Sequence, residues 1–229
     1  IGHGLGTVPE MIIVKNRSSA DEWLIFSDAL NGGTDPEDYY LRLDSTPAET
    51  NNTFWNDTAP TNQVFSVGDN RPTNSGHGND YIAYCFDSVA GYSKFGSYTG
   101  NGNSTGTQVT LGFRPAFLLI KNMEATSNWY LYDSATEPND PKGIPFLVNN
   151  NTGQGTFYLR LDFQDNGFQL KHTDTDLNGS GTRYFYMAFA DKREYAYWLD
   201  QSGNNNDWTS VNLTESDISV DSPTNNFAT

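Results

Sequence analysis

The sequence predicts an all-β fold: an antiparallel β-sandwich built from two pseudo-repeats, at about residues 6–90 and 112–190, with an extended C-terminal arm. Three observations predict it. Short apolar runs recur between clusters of Gly, Asn, Ser and Thr with no amphipathic helical period between them, the pattern of strands joined by turns and not of a parallel sheet with crossover helices. Aromatic residues make up 14% of the 229 residues and charged residues only 18%, so a packed core can form and disorder is disfavoured. Finally, the chain repeats itself. Gly6-Thr7-Val8-Pro9 leads through Met11-Ile12-Ile13-Val14 to Lys15-Asn16, and Gly112-Phe113-Arg114-Pro115 leads through Phe117-Leu118-Leu119-Ile120 to Lys121-Asn122. The register holds through Trp23 and Trp129, and the copies close on Tyr81-Ile82-Ala83-Tyr84 and Tyr186-Met187-Ala188-Phe189, which marks duplicated supersecondary units.

Taken in order, residues 10–15 and 22–27 read as a hairpin across the turn formers Asn16 to Asp21, and residues 39–44 alternate as a half-buried strand should. Residues 45–63 read as loop around Phe54-Trp55-Asn56-Asp57. Strands follow at 64–67 and 80–87, the latter entered through Asn74 to Asn79. A glycine-rich joint at 91–111 carries short strands at 94–98 and 107–111. The second copy supplies strands at 116–121, 129–133, 144–149, 157–162, 168–171 and 183–190. Tyr158-Leu159-Arg160-Leu161-Asp162 repeats Tyr40-Leu41-Arg42-Leu43-Asp44, at an offset about twelve residues longer than the rest of the repeat, so their equivalence stays open. Residues 1–190 form the sandwich module. Beyond it, 191–229 carry one last aromatic run, Tyr195 to Leu199, and then a polar arm or linker. The inner faces of two sheets take Met11, Ile13, Trp23, Ile25, Ile82 and Tyr84 from one copy, and Phe117, Leu119, Trp129, Leu131, Met187 and Phe189 from the other. Trp23 and Trp129 therefore read as core.

A formal charge of −15 with thirteen Lys and Arg argues against a nucleic-acid partner, because phosphate binding runs on released counterions. Anionic membrane surfaces are disfavoured for the same reason. Cys85 is the lone cysteine, so no internal disulfide is expected, and it sits in an apolar run where a buried thiol is usual. No membrane span and no signal peptide are read from the sequence. The opening Ile1-Gly2-His3-Gly4-Leu5-Gly6 begins in mid-pattern, as a segment of a longer protein would.

Catalytic patterns are not found. There is no Gly-x-Ser-x-Gly, His3, His77 and His172 lie in or beside polar loops, zinc-ligand spacing is missing, and the glycine-rich 96–106 stretch lacks the Gly-Lys-Ser/Thr ending of a phosphate loop. No strand points several carboxylates into one cleft as glycoside hydrolysis requires. Asp174, Asp176 and Asn178 could supply oxygen ligands to calcium, as could residues 200–207, although solvated or self-capping turns explain both. No metal or cofactor is assigned. Trp55 either folds back into the sandwich or stands at the surface as a stacking platform. On the second reading Trp55, Asn56 and Asp57, or His77, Asn79 and Asp80, make the candidate glycan contacts.

Gly2-His3-Gly4-Leu5-Gly6, Phe54-Trp55-Asn56-Asp57-Thr58-Ala59-Pro60-Thr61, Tyr81 to Phe86, Gly91 to Gly102, Tyr186 to Ala190 and Asp200 to Trp208, in this order, resemble a module of tail and appendage proteins of marine bacteriophages. The similarity covers Gly2 to about Ala190, and the tail from Ser222 to Thr229 is similar to a connector that follows such modules. The resemblance implies a jelly-roll or concanavalin-like sandwich and a virion location. It also implies a non-enzymatic structural or host-recognition role in a fibre, spike or related appendage, with no catalytic residues to carry over. Other virion proteins, a host-surface glycan and the chain's own copies in a homotrimer are the expected partners. A carbohydrate-binding module and a polysaccharide-degrading enzyme are the alternatives, and the fold alone does not choose among them.

Overall fold

The computed structural model describes residues 1–75, 78–137, 139–151 and 160–191. Ile1–Ala190 form one compact unit; the expected arm, its aromatic run and the 200–207 stretch lie outside the described residues. The first half lays down β1 (Met11–Asn16), β2 (Leu24–Ser27), β3 (Tyr39–Arg42), β4 (Thr50–Asn51) and β5 (Tyr81–Phe86). The joint supplies β6 (Ser93–Thr99) and β7 (Gln108–Thr110). The second half adds β8 (Pro115–Asn122), β9 (Trp129–Asp133), β10 (Phe146–Leu147), β11 (Leu161–Gln164), β12 (Gly167–Leu170), a four-residue helix α1 (Thr175–Asn178) and β13 (Arg183–Ala190).

Sheet one runs β4-β3-β2-β1-β5 and sheet two β10-β9-β8-β13-β6, with every ladder antiparallel. The repeat is thus visible in the topology. Each copy makes a hairpin, β1–β2 or β8–β9, and its last strand, β5 or β13, pairs on the far side of the first. The two sheets face each other across an interior containing Met11, Ile13, Ile25 and Leu41 from sheet one and Phe95, Leu119, Trp129 and Phe185 from sheet two. Ten of the twelve expected inner-face residues belong to this cluster. Ile82 and Tyr84 do not; they share its face, but β5 is an edge strand and Tyr84 is 43% exposed.

Two further layers cover the sheets, and of these the sequence offers only the folding back of the Trp55 loop. A third sheet, β11-β12-β7, covers the outer face of sheet two, where Leu118, Ile120, Tyr130, Tyr132 and Tyr184 pack on Leu161, Phe163 and Phe168. The 52–75 segment covers the outer face of sheet one, with Phe54, Trp55 and Phe65 packing on Ile12, Val14, Leu24 and Phe26. Both central strands are therefore apolar on both faces, which is why Met11–Val14 and Leu118–Ile120 are continuous runs with no polar alternation.

Several boundaries move. Residues 64–67 form no strand: Val64 bridges Gly2, and Phe65 is buried on sheet one. The strand expected at 144–149 shortens to β10. Leu161 opens β11, which pairs with β12 and not with β9, whereas β3 pairs with β2. Of the second Tyr-Leu-Arg-Leu-Asp stretch, Tyr158 and Leu159 lie outside the described residues, as does the start of the strand expected at 157–162; Leu161 and Asp162 belong to the third sheet, whereas Tyr40 to Arg42 lie in sheet one.

Candidate functional site

Each Lys-Asn pair of the repeat closes the loop after its strand. Asn16 Oδ1 accepts the Ser18 N–H (2.9 Å) and Asn122 Oδ1 the Glu124 N–H (2.9 Å), while Lys15 Nζ donates to the Ser19 and Asp21 carbonyls and Lys121 Nζ to those of Thr46, Asn122 and Ala125. Side chains replace the ladder where the strand ends, satisfying backbone groups that would otherwise be orphaned. Burial pushes the Lys121 ammonium down from its ordinary 10.5 to about 8, partly opposed by the Asp176 carboxylate.

Trp55 is 2% exposed. Its ring sits edge-on to Phe26 at 5.8 Å and its indole N–H donates to the Tyr39 carbonyl at 3.1 Å, so it presents no open face on which a sugar could stack. The folded-back reading is the correct one. Asn56 and Asp57 are exposed beyond it, both with positive φ (56° and 43°) in a turn held by the Asn56 and Thr58 side chains; short polar side chains adopt that backbone readily. Asp80 uses its backbone to bond Ser18 Oγ and the Arg17 N–H, and Asn79 is half-buried beside it. His77 lies outside the described residues. The bonds of the Asn56–Asp57 turn and of Asp80 share no residue, so these bonds do not join the two sets.

The oxygen-rich stretch after β12 is built around a guanidinium. Asp174 caps α1 through the Asp176 N–H (2.8 Å) and pairs with Arg160 at 2.8 Å. Asp176 accepts from Ser127 Oγ and Tyr130 Oη and lies 3.8 Å from Arg160. Asn178 reaches Asn101, Asn103 and His172. The positive charge these acids need comes from Arg160. Among the described residues, no group of three His, Cys, Asp or Glu is arranged to hold a metal ion.

An open, mostly apolar groove of about 430 Å³ lies where β5 meets β6, lined by Leu5, Cys85, Phe86, Asp87, Val89 and Tyr92 among others. Tyr92 is 44% exposed, with its ring edge-on to Phe189 at 5.8 Å. Burial raises the Cys85 thiol above its ordinary value. Acids gather at this end: Ser88 donates its N–H to Glu10 Oε2 (3.1 Å) and Asp87 Oδ1 (3.0 Å), and its hydroxyl to Glu10 Oε2. The Asp28 N–H bonds the Glu10 carbonyl. Partial burial, then the neighbouring Glu10, pushes the Asp28 carboxyl up to about 6. Nothing in the sequence patterns marked this corner. Its one signal was Leu5, Val89 and Tyr92, isolated apolar residues in otherwise polar glycine-rich stretches.

Residues 1–193 match the family model described as "Domain of unknown function (DUF7483)". No curated protein and no solved structure matches the chain.

Proposed function

We propose that this chain, which belongs to the DUF7483 family, is a non-enzymatic module of a bacteriophage virion that serves structure and host recognition in a tail fibre, spike or related appendage. The virion assignment rests on the ordered motifs from Gly2 to Ala190. The observation that favours binding over catalysis is how the described charged groups are spent. Arg160, Asp174 and Asp176 hold α1, Lys15 and Lys121 close loops, and the exposed groove at β5–β6 is mostly apolar. Binding sites are concave and apolar with a few polar groups, and this groove has that character.

Antibody against the full-length protein, imaged on virions by electron microscopy, is expected to decorate a tail or other surface appendage. Undecorated virions that nonetheless infect would remove the assignment. Light scattering is expected to show a homotrimer. Reducing-sugar release from host envelope polysaccharide would overturn the non-enzymatic part.

A carbohydrate ligand is the second reading, favoured by the exposed ring of Tyr92 beside Asp87. With Trp55 in the core, Asn56, Asp57, Asn79 and Asp80 are the described polar candidates. On a glycan array, Tyr92→Ala is expected to abolish binding; retention by Tyr92→Ala would exclude the groove.

A further inference from the structure

Strand β5 is the edge of sheet one, and among the described residues no strand pairs with its outer side. The Arg17 N–H donates to the Asp80 carbonyl at 2.8 Å, one closely spaced pair of the β1–β5 ladder. Alternation then points the backbone groups of Ile82, Tyr84 and Phe86 at β1, and those of Tyr81, Ala83 and Cys85 outward. Among the described residues, no backbone group bonds to the outward amides or carbonyls of Ala83 and Cys85.

The other edges are treated differently. On β6, Ser93 pairs with Val89, the Phe95 N–H donates to Ser88 Oγ, and the Thr99 carbonyl accepts Thr107 Oγ1. The Thr110 carbonyl of β7 accepts Lys94 Nζ at 3.0 Å, and β4 and β10 are two residues each. Edges are ordinarily blunted by brevity, charge, proline or cover. Within its six residues β5 has no charge and no proline. Its outward row runs into the groove at Cys85.

Charge selects the occupant. At the Asp80 end, Arg17 and Arg71 offset the acids, Arg71 being paired with Asp21 at 2.6 Å. At the Phe86 end, Glu10, Asp28 and Asp87 stand without a cation among their described bonds. A second copy would bring another formal −15, whereas a cationic segment is attracted. Every ladder among the described residues is antiparallel, and an antiparallel strand added to β5 would start near Asp87.

We propose that the outer edge of β5 is a docking strand that receives an extended peptide of a partner protein by antiparallel strand addition, with a basic N-terminal end against Asp87 and the neighbouring Glu10 and an apolar side chain in the groove. Main-chain bonds supply affinity in this mode, and alternate side chains supply specificity. The inference stands independently of the virion assignment.

The test uses the full 229-residue chain and two synthetic peptides of one composition, Lys-Arg-Val-Thr-Val-Thr-Val and its reversal Val-Thr-Val-Thr-Val-Arg-Lys. Amide hydrogen exchange is followed at Ala83 and Cys85. The first peptide is expected to slow exchange there by about tenfold or more at saturation, and the reversed peptide to bind at least about tenfold more weakly. Ala83→Pro deletes one outward N–H and no ladder bond; it is expected to abolish binding with the circular dichroism spectrum intact. If that variant fails to fold, the comparison of the two peptides on the unmodified chain decides. Equal binding of the two peptides, or no protection by either, overturns the proposal. So does protection of Ala83 and Cys85 already present without peptide, since the chain itself would then cover the edge.

Discussion

The ammonium of Lys121 lies 3.0 Å from the Thr46 carbonyl and 2.9 Å from that of Asn122, in a fully buried site with carbonyl oxygens as its hydrogen-bond acceptors. Burying a cation this way penalises the charged form, and the sign of the pH effect follows. The fold releases the proton near pH 8 while the unfolded chain holds it to about 10.5. Between those values the unfolded state binds more protons, so stability rises with pH. Urea unfolding is expected to show a gain of up to about 1.4 kcal/mol per pH unit between pH 8 and 10, and Lys121→Met is expected to lose that slope. An unchanged slope in the variant would assign the effect elsewhere. Trp55 gives a second prediction at this scale: Trp55→Ala removes a buried ring and one indole bond, and is expected to cost about 3–5 kcal/mol in chemical denaturation. A loss under 1 kcal/mol would mean the ring is not packed as described. Both Lys-Asn pairs were legible as repeats of letters, but their role was not, because loop closure by a side chain depends on where carbonyls of the following loop, and for Lys121 the distant Thr46, come to lie.

At the scale of elements, the hairpins β1–β2 and β8–β9 and the closing strands β5 and β13 were readable, since each carries its own apolar run and turn residues. The third sheet was not. Its strands β7, β11 and β12 are three or four residues long, and the evidence for a cover lay instead in the doubly apolar runs of β1 and β8, which a two-sheet sandwich leaves half unexplained. Gly167 is where this cover is most tightly fitted. Its φ of 151° is outside the range L side chains favour, and a Cβ there would stand 1.9 Å from the Val109 carbonyl oxygen. Gly167→Ala must therefore push β7 away from β12. The expected loss is at least about 1–3 kcal/mol from backbone strain alone, with faster amide exchange at residues 108–110. Stability within about 0.5 kcal/mol of the parent, with exchange unchanged, would contradict the register of β7 on β12.

Within the Ile1–Ala190 unit, the stacking of layers places five tyrosines, Tyr98, Tyr130, Tyr132, Tyr184 and Tyr186, in the single cluster between sheet two and its cover. Three phenols are committed donors: Tyr98 to the Leu177 carbonyl (2.7 Å), Tyr130 to Asp176 (2.6 Å) and Tyr184 to the Thr175 carbonyl (2.6 Å). Burial raises all five above the ordinary value of 10, those of Tyr130 and Tyr186 to about 12. For an acid raised in the fold, the folded state keeps a proton that the unfolded chain gives up, so this contribution is complete below pH 10 and is lost as pH climbs past it. Each retained proton costs about 1.4 kcal/mol per pH unit, and several together outweigh the gain from Lys121, so stability should peak near pH 10 and collapse between 10 and 12. The check is absorbance at the tyrosinate band followed together with circular dichroism. The buried share of the thirteen tyrosines is expected to ionise only as the β spectrum disappears, in one cooperative step. Smooth ionisation of every phenol near pH 10 with the spectrum preserved would mean that the cover does not seal sheet two, and the layered architecture would fall with it.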